Sequence, residues 1–230
     1  MDVTQTATSP TIRAAQQATR TIPIVMGNSQ DPVSEGFVAS LARPGGNITG
    51  QTLFSPDLAA KRLQLIKEVV PRLTRVAVLW NVDDPALALS LRETLAAAHT
   101  LRLEFRSLGV RSPSKFETAF RTAIQENAGA LSVLEDNLTF RYRTEIATLA
   151  NNNRLPTMYG LREYAEAGGL IAYGPNLAQI YRRSAAYVDK ILKGAKPADL
   201  PVEQPARFER SSISRLPRRS TTKFQHRSSP

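Results

Sequence analysis

The sequence predicts an α/β protein: a Rossmann-like or flavodoxin-like lobe built on a parallel sheet, joined to a partial second lobe. Three observations carry this reading. Short apolar runs alternate with segments of helical spacing along most of the chain. The joins between them are short and rich in Pro, Gly, Asn and Asp. The segments between successive strands are long enough for the helical crossover that parallel pairing requires.

Taken in order, Thr11 to Thr19 has helical spacing, and Ile22 to Met26 is a strand ending at Gly27–Asn28–Ser29. Val33 to Leu41 reads as an amphipathic helix and Asn47 to Gly50 as a short strand. Two strands cannot bury both faces of a parallel sheet, so residues 1–55 are expected to be part of an N-terminal lobe. Gln51 to Pro56 reads as a linker. Asp57 opens a helix with Ala59, Leu63, Ile66 and Val70 on one side and Pro71 at its end.

Residues 56–175 are expected to form a C-terminal α/β lobe. Arg75 to Asn81 is a nearly continuous apolar run, as in a strand buried on both faces. Asp84–Pro85 reads as a helix start, with Ala88, Leu91, Leu95 and Ala98 following at helical spacing. Leu101, Leu103 and Phe105 alternate with polar residues as in a strand. Ser114 and Glu117 have capping-box spacing, ahead of a stripe of Phe116, Phe120 and Ala123. Further strands are expected at Ala130 to Leu134, Leu155 to Tyr159 and Leu170 to Tyr173, with helices at Leu138 to Ala150 and around Tyr164. Residues 176–206 then read as a helix, with Tyr181, Ala185, Val188 and Leu192 on one face and Gly194 at its end, followed by a crossover back to the N-terminal lobe.

Composition narrows the chemistry. The chain has 230 residues, 42% hydrophobic and 22% charged, which is globular. With no cysteine, a disulfide scaffold, a zinc–thiolate site, an iron–sulfur cluster and a cysteine nucleophile are excluded. His99 and His226 are too few for a histidine-rich metal site, and no cofactor is expected. No apolar run reaches the roughly 18 residues of a membrane span. Met1 to Pro10 lacks the basic-then-apolar pattern of an export signal, so the chain as written is expected to remain cytoplasmic. The net charge of +10 is concentrated at the end, where Arg207 to Pro230 holds seven basic residues and one acid. Residues 207–230 therefore read as a disordered basic tail, and no nucleic-acid partner is expected.

In open α/β sheets, ligands bind beyond the carboxyl ends of the strands. Those positions hold Asn28, Ser29 and Asp31; Asn81, Asp83 and Asp84; Glu135, Asp136 and Asn137; Tyr159 and Gly160; Tyr173 and Gly174. Amides, carboxylates and phenols of this kind suit the polar edges of a small molecule, with rings to pack on its apolar part. The candidate ligand-binding residues are Asn28, Ser29, Asp31, Asn81, Asp83, Asp136, Tyr159 and Tyr173. Each alone also reads as a turn residue or helix cap. Catalytic patterns are thin. No Ser/His/Asp triad can be assembled around His99, and no Walker loop or GxGxxG follows a strand. Asp83, Asp84 and Asp136 sit like the acidic pocket of a phospho-receiver, but Gly174–Pro175 stands where a receiver needs lysine. No enzyme activity is expected.

Four stretches resemble the tryptophan/tyrosine-type family of ABC-transporter substrate-binding proteins: QQATRTIPIVMGNSQDPVSEGFVASLARPGGNITG from Gln16 to Gly50, RVAVLWN from Arg75 to Asn81, NNNRLPTMYGLREYAEAGGLIAYGPN from Asn151 to Asn176, and YVDKILKGAKPADLPVEQPARFE from Tyr187 to Glu209. The resemblance spans about residues 11–209. It implies a type I periplasmic binding protein with two α/β lobes, hinge strands and a ligand between them. It further implies a periplasmic protein that captures a small, amino-acid-like solute for an ABC permease. The residues after Ile22–Met26, Arg75–Asn81 and Ala130–Leu134 would then face the cleft.

The ends depart from the family pattern. A signal peptide and the first strands, roughly a hundred residues for a lobe of normal size, are not in this sequence. After Glu209 the family continues with a run resembling NLKTAKAL, whereas this chain reads RSSISRLPRRSTTKFQHRSSP. Synonymous codons for Ser212 to Ser220, read from the last base of Ser212, spell NLKTAKAL, so the tail is read as a frameshift product and expected to be disordered. A chain with half of one lobe missing is expected to bind solute weakly. The alternatives at this stage are a Rossmann-like enzyme and the ligand-sensing domain of a regulator.

Overall fold

The computed structural model describes residues 2–53, 57–205 and 207–212. Two sheets organise it. The N-terminal sheet is parallel, in the order β1 (Thr4–Thr6), β2 (Ile24–Ser29), β3 (Ile48–Thr52). The C-terminal sheet has six strands in the order β5 (Glu104–Val110), β4 (Arg75–Asn81), β6 (Ala130–Val133), β7 (Thr157–Tyr159), β8 (Ile171–Pro175), β9 (Phe208–Ser212), all parallel except the last. The doubly wound α/β architecture is the one expected.

The helices fill the crossovers: α1 (Ser9–Ala18), α2 (Asp57–Val69), α3 (Leu87–Thr100), α4 (Phe116–Gln125), α5 (Asn137–Arg141), α6 (Arg143–Asn152), α7 (Arg162–Glu166) and α8 (Leu177–Leu192). The central strand β4 shows why its sequence is apolar throughout. Ala77 and Leu79 pack with Phe116, Ile146, Tyr159 and Tyr164 on one sheet face. Val76 packs with Leu63, Ile66, Met158 and Ile171 on the other. A strand covered on both faces has no side left for polar residues.

The N-terminal sheet is covered by α1 on one face, where Ile12, Ile24, Met26, Phe37, Val38 and Ile48 form a core. On the other face Val25 meets Tyr187 and Ile191 of α8. Among the described residues the chain thus passes between lobes three times: from β3 to α2, from β8 to α8, and from Glu203 to β9. Glu203 is paired beside Gln51, and its carbonyl accepts from Thr52 N–H at 3.0 Å.

Several local expectations are corrected. Thr4–Thr6 is a third N-terminal strand; its Thr-Gln-Thr sequence has no apolar signal, and pairing with β2 makes it a strand. Residues 33–41 form turns instead of a helix, because Gly36 at φ 73° ends the first turn after the Glu35 N–H to Asp31 carbonyl bond. Phe37 and Val38 still bury, which produced the amphipathic pattern. The strand expected from Leu101 begins at Glu104, since Arg102 at φ 54° closes α3 and Leu103 N–H still bonds the Ala98 carbonyl. Ser114 bonds Ser112 in a short 3-10 turn instead of capping α4. The helix expected over Leu138 to Ala150 breaks at Tyr142, whose ring packs edge-on to Phe116 at 6.0 Å. The buried face of α8 is Ile180, Ser184, Tyr187 and Ile191, one residue out of phase with the expected stripe; Tyr181 and Leu192 are exposed.

The start of the basic tail is also corrected. Phe208–Ser212 pairs antiparallel with β8, Arg210 opposite Tyr173. The physical reason is the open edge of β8, whose backbone groups need partners. Glu209 accepts from Asn176 Nδ2 at 3.1 Å, which anchors the strand. Residues 213–230, the rest of the tail, lie outside the described residues, as do residues 54–56 of the expected linker.

Candidate functional site

The carboxyl ends of β2, β3, β4, β6 and β7 converge on a cleft between the lobes. Its main compartment, about 230 Å³, takes lining from both sides. The N-terminal lobe brings Thr8 and Ser9 at the start of α1, Asn28 and Gln30 at the end of β2, and Tyr181 of α8. The C-terminal lobe brings Asp84, Glu135, Asp136 and Phe140. Long hydrogen bonds span the lobes. Gln30 Nε2 donates to the Glu135 carbonyl at 3.5 Å, and Asn137 Nδ2 donates to Thr8 Oγ1 at 3.4 Å.

The eight sequence-derived candidates separate into groups. Asn28 and Asp136 line the main compartment together. Asn81 stands directly behind Asp136, donating from Nδ2 to Asp136 Oδ2 at 2.7 Å. Asp136 also caps α5, accepting from Thr139 N–H at 2.9 Å, so cleft wall and helix cap are the same side chain. Asp31 lines a smaller adjoining compartment and holds its turn by accepting from Val33 and Ser34 N–H, each at 3.2 Å.

The other four side chains are placed elsewhere. Ser29 is buried and donates to Glu35 Oε1 at 2.9 Å. Asp83 is exposed and paired with Arg111. Tyr159 is in the C-terminal core, stacked on Tyr164 at 4.8 Å, and burial pushes its phenol up to about 12. Tyr173 packs against Phe208 at 6.0 Å, and its carbonyl accepts from Arg62 Nε at 2.8 Å. Strand alternation explains the last two: neighbouring residues at a strand tip point to opposite faces, and only one face opens on the cleft.

Lining residues missed from sequence include Thr8, Ser9, Gln30, Phe140, Leu161 and Tyr181. Gln30 and Leu161 lie one or two residues past recognised strand tips. Thr8 and Ser9 follow the unrecognised β1. Tyr181 carried no signal, because its helix returns from the far end of the chain.

Beneath the cleft, Arg62 Nη1 lies 3.4 Å from Glu135 Oε2, both side chains largely buried. Gly160 and Gly174 make room for this pair. A Cβ on Gly160 would meet Arg62 Nη2 and Glu135 Oε1, and a Cβ on Gly174 would meet the Gly160 carbonyl. No group of three or more acidic or histidine side chains among the described residues could hold a metal ion.

The Asp84 carboxyl stands above its ordinary 3.8, chiefly through burial, with repulsion from Asp136 and Glu35 added and the Ala86 N–H opposing. A carboxyl raised by folding favours the fold while protonated and opposes it once ionised. Its contribution is fully present below pH 3.8 and is lost as pH rises through the folded value. Asp84→Asn should therefore be more stable than the parent at pH 7, by under about 1 kcal/mol after solvent screening. That advantage should vanish near pH 4, which thermal melts at the two pH values would check.

A family model described as ABC transporter substrate binding protein matches residues 1–211. A protein of Clostridioides difficile strain R20291 named tyrosine-binding protein is 26% identical over 202 residues, covering 87% of this chain and 57% of that protein. The chain thus spans little more than half the length of that relative. A conserved domain protein from Vibrio cholerae O1 biovar El Tor superposes with a TM-score of 0.85 at 28% identity, over 92% of this chain and 70% of that one. An ABC domain from Streptococcus pneumoniae in complex with L-Trp superposes with a TM-score of 0.83 at 23% identity, over 91% of this chain and 72% of that one.

Proposed function

Since the chain belongs to the ABC transporter substrate-binding protein family, we propose that it captures a small amino-acid-like solute between its lobes and presents it to a membrane permease. The observation that carries this reading is the cleft of about 230 Å³ lined from both lobes by strand tips and helix starts. A solute touching both walls favours the closed arrangement by the contacts it gains there. Phe140, Leu177 and Tyr181 offer an apolar and aromatic wall, which suits an aromatic or branched side chain. A relative named for tyrosine binding and a neighbour holding L-Trp support the same ligand class.

On this reading the chain performs no chemistry on its solute and works outside the cytoplasmic membrane. No helix among the described residues is long and apolar enough to cross a membrane. The sequence alone suggested weak binding, but the N-terminal lobe supplies Thr8, Ser9, Asn28, Gln30 and Tyr181 to the cleft, which supports capture by this chain.

Thermal melts with each of the common amino acids test the proposal. A ligand at a hundred times its Kd adds about 2.7 kcal/mol, which for a chain of this size raises Tm by roughly 5–10 °C. We expect that rise with L-tyrosine, L-tryptophan or L-phenylalanine. A flat response to every amino acid at millimolar concentration would refute the assignment.

A further inference from the structure

The C-terminal sheet ends at β5, and among the described residues no strand pairs with its outer side. This edge is long and regular. All seven residues from Glu104 to Val110 pair with β4 in unbroken register, with no proline and no bulge. Glu104 N–H donates to the Thr74 carbonyl at 2.8 Å, and the Val110 carbonyl accepts from Val82 N–H at 3.0 Å. Backbone groups alternate sides along a strand, so Phe105, Ser107 and Gly109 turn their N–H and C=O groups outward. Among the described residues their one hydrogen-bond partner is Arg106 Nη1, 3.4 Å from the Phe105 carbonyl. A straight edge of this kind is a template for another strand.

One face of the edge is apolar. Phe105 and Trp80 are half-buried and pack with Leu91 of α3. Leu95, one turn further along α3, is exposed. The Trp80 indole extends over β5, where its Nε1 donates to Ser107 Oγ at 2.8 Å. Gly109 is exposed and has no side chain; a Cβ there would run into Val82 Cγ1 and come 3.6 Å from Trp80 Nε1. Val82 and the indole therefore stand at the edge where a side chain of β5 would otherwise cover them.

We propose that β5 pairs antiparallel with β5 of a second copy of this chain, across a symmetry axis through Ser107. In that register Ser107 lies opposite Ser107, and Phe105 lies opposite Gly109 of the other copy. Each outward N–H then meets a carbonyl. Each Phe105 ring comes against Val82 and Trp80 of the other copy, an aromatic side chain paired across the strands with glycine. Charge selects the same register. Arg106 faces Leu108 and Glu104 faces Val110, whereas an axis one residue earlier would set Arg106 against itself. The strands reverse across the axis, so the two clefts lie at opposite ends of the joined sheet and both stay open. Helices α3 and α4 pack on opposite faces of β5 and thicken the contact. An edge roughly 23 Å long, with about one helix diameter on each side of the sheet, gives two faces that bury roughly 1,200 Å² together. That is the low end for a specific interface, so association is expected in the micromolar range.

Sedimentation velocity on the full chain, from low micromolar to millimolar concentration, tests the proposal. We expect a monomer–dimer equilibrium. Trp80 is the sole tryptophan, so its emission should shift to the blue as the dimer forms. Ser107→Lys places two ammonium groups face to face on the axis, and Ser107→Glu two carboxylates; each alone should associate at least about tenfold more weakly than the parent. An equimolar mixture of the two variants should associate again, because an ammonium then faces a carboxylate. The proposal is overturned if the parent stays monomeric at millimolar concentration, if Ser107→Lys associates as the parent does, or if the mixture associates no better than either variant alone. The parental series decides the matter even where a variant does not fold. Solute capture is read separately, from the thermal melts, and survives each of these results.

Discussion

Gly174→Ala is expected to destabilise the protein by about 3 kcal/mol, the upper part of the range for overpacking a well-filled interior. The new Cβ would run into the Gly160 carbonyl and come within 3.2 Å of Arg62 Nη2. Neither neighbour can step aside freely. Gly160 follows β7, which is held in register with β8 by Met158 opposite Ile171 and Tyr159 opposite Ala172. Arg62 is fixed by the Tyr173 carbonyl and Glu135. The substitution must therefore spread two paired strands or displace the guanidinium from beneath the cleft. Urea denaturation should show the loss, with a Tm roughly 6–12 °C below the parent. Gly46→Ala is the matched control, since nothing lies within 4 Å of a Cβ there, and it should stay within about 0.5 kcal/mol of the parent. A Gly174→Ala protein as stable as the Gly46→Ala one would show that the strand tips are not packed as described.

Phe116→Ala should cost more, about 4 kcal/mol. The ring is fully buried at the first residue of α4, in the core shared with Leu79, Phe120, Ile146 and Tyr164. It also holds Tyr142 edge-on at the break between α5 and α6. Removing it opens a space under α4, which packs on β5 and α6; β5 cannot move into it without losing its pairing with β4, so the cavity persists. Asp136 caps the N-terminus of α5 and Tyr142 closes its C-terminus, so loosening this corner should also blur the cleft wall. Denaturant midpoints measure the first effect. Weakened binding of the solute that raises the parental Tm measures the second. A loss below about 1.5 kcal/mol would mean that α4 repacks over the gap.

How far the sequence could be read follows from where each signal originates. The apolar run Arg75–Asn81 names its own strand with both bounds, because burial on two faces leaves a mark on every residue. Thr4–Thr6 leaves none, since its strand state comes from β2 alongside it. The phase of α8 differs from the expected stripe for a related reason. Tyr181 is apolar enough to join a buried stripe, but its place is set by the cleft. In the site, the strand-tip rule reached Asn28 and Asp136, because topology alone puts carboxyl ends together. It could not separate Glu135 from Asp136, or Tyr173 from a cleft residue. Those choices depend on which way a side chain leaves the last turn, and here Arg62, 73 residues upstream of Glu135, decides one of them.

The three passages of the chain between lobes also set a timetable for synthesis. Strand β3 ends at Thr52, but the helix that covers the Val25 face of its sheet begins only at Leu177. At about 5–20 residues per second, the roughly 125 residues between them occupy the ribosome for about 6–25 s. Through that interval the earliest-made sheet waits with one greasy side bare, while the later-made lobe can collapse locally behind it. The nascent polypeptide is therefore most exposed to aggregation and chaperone capture before α8 emerges, and slowing translation ahead of Leu177 should lower the soluble yield.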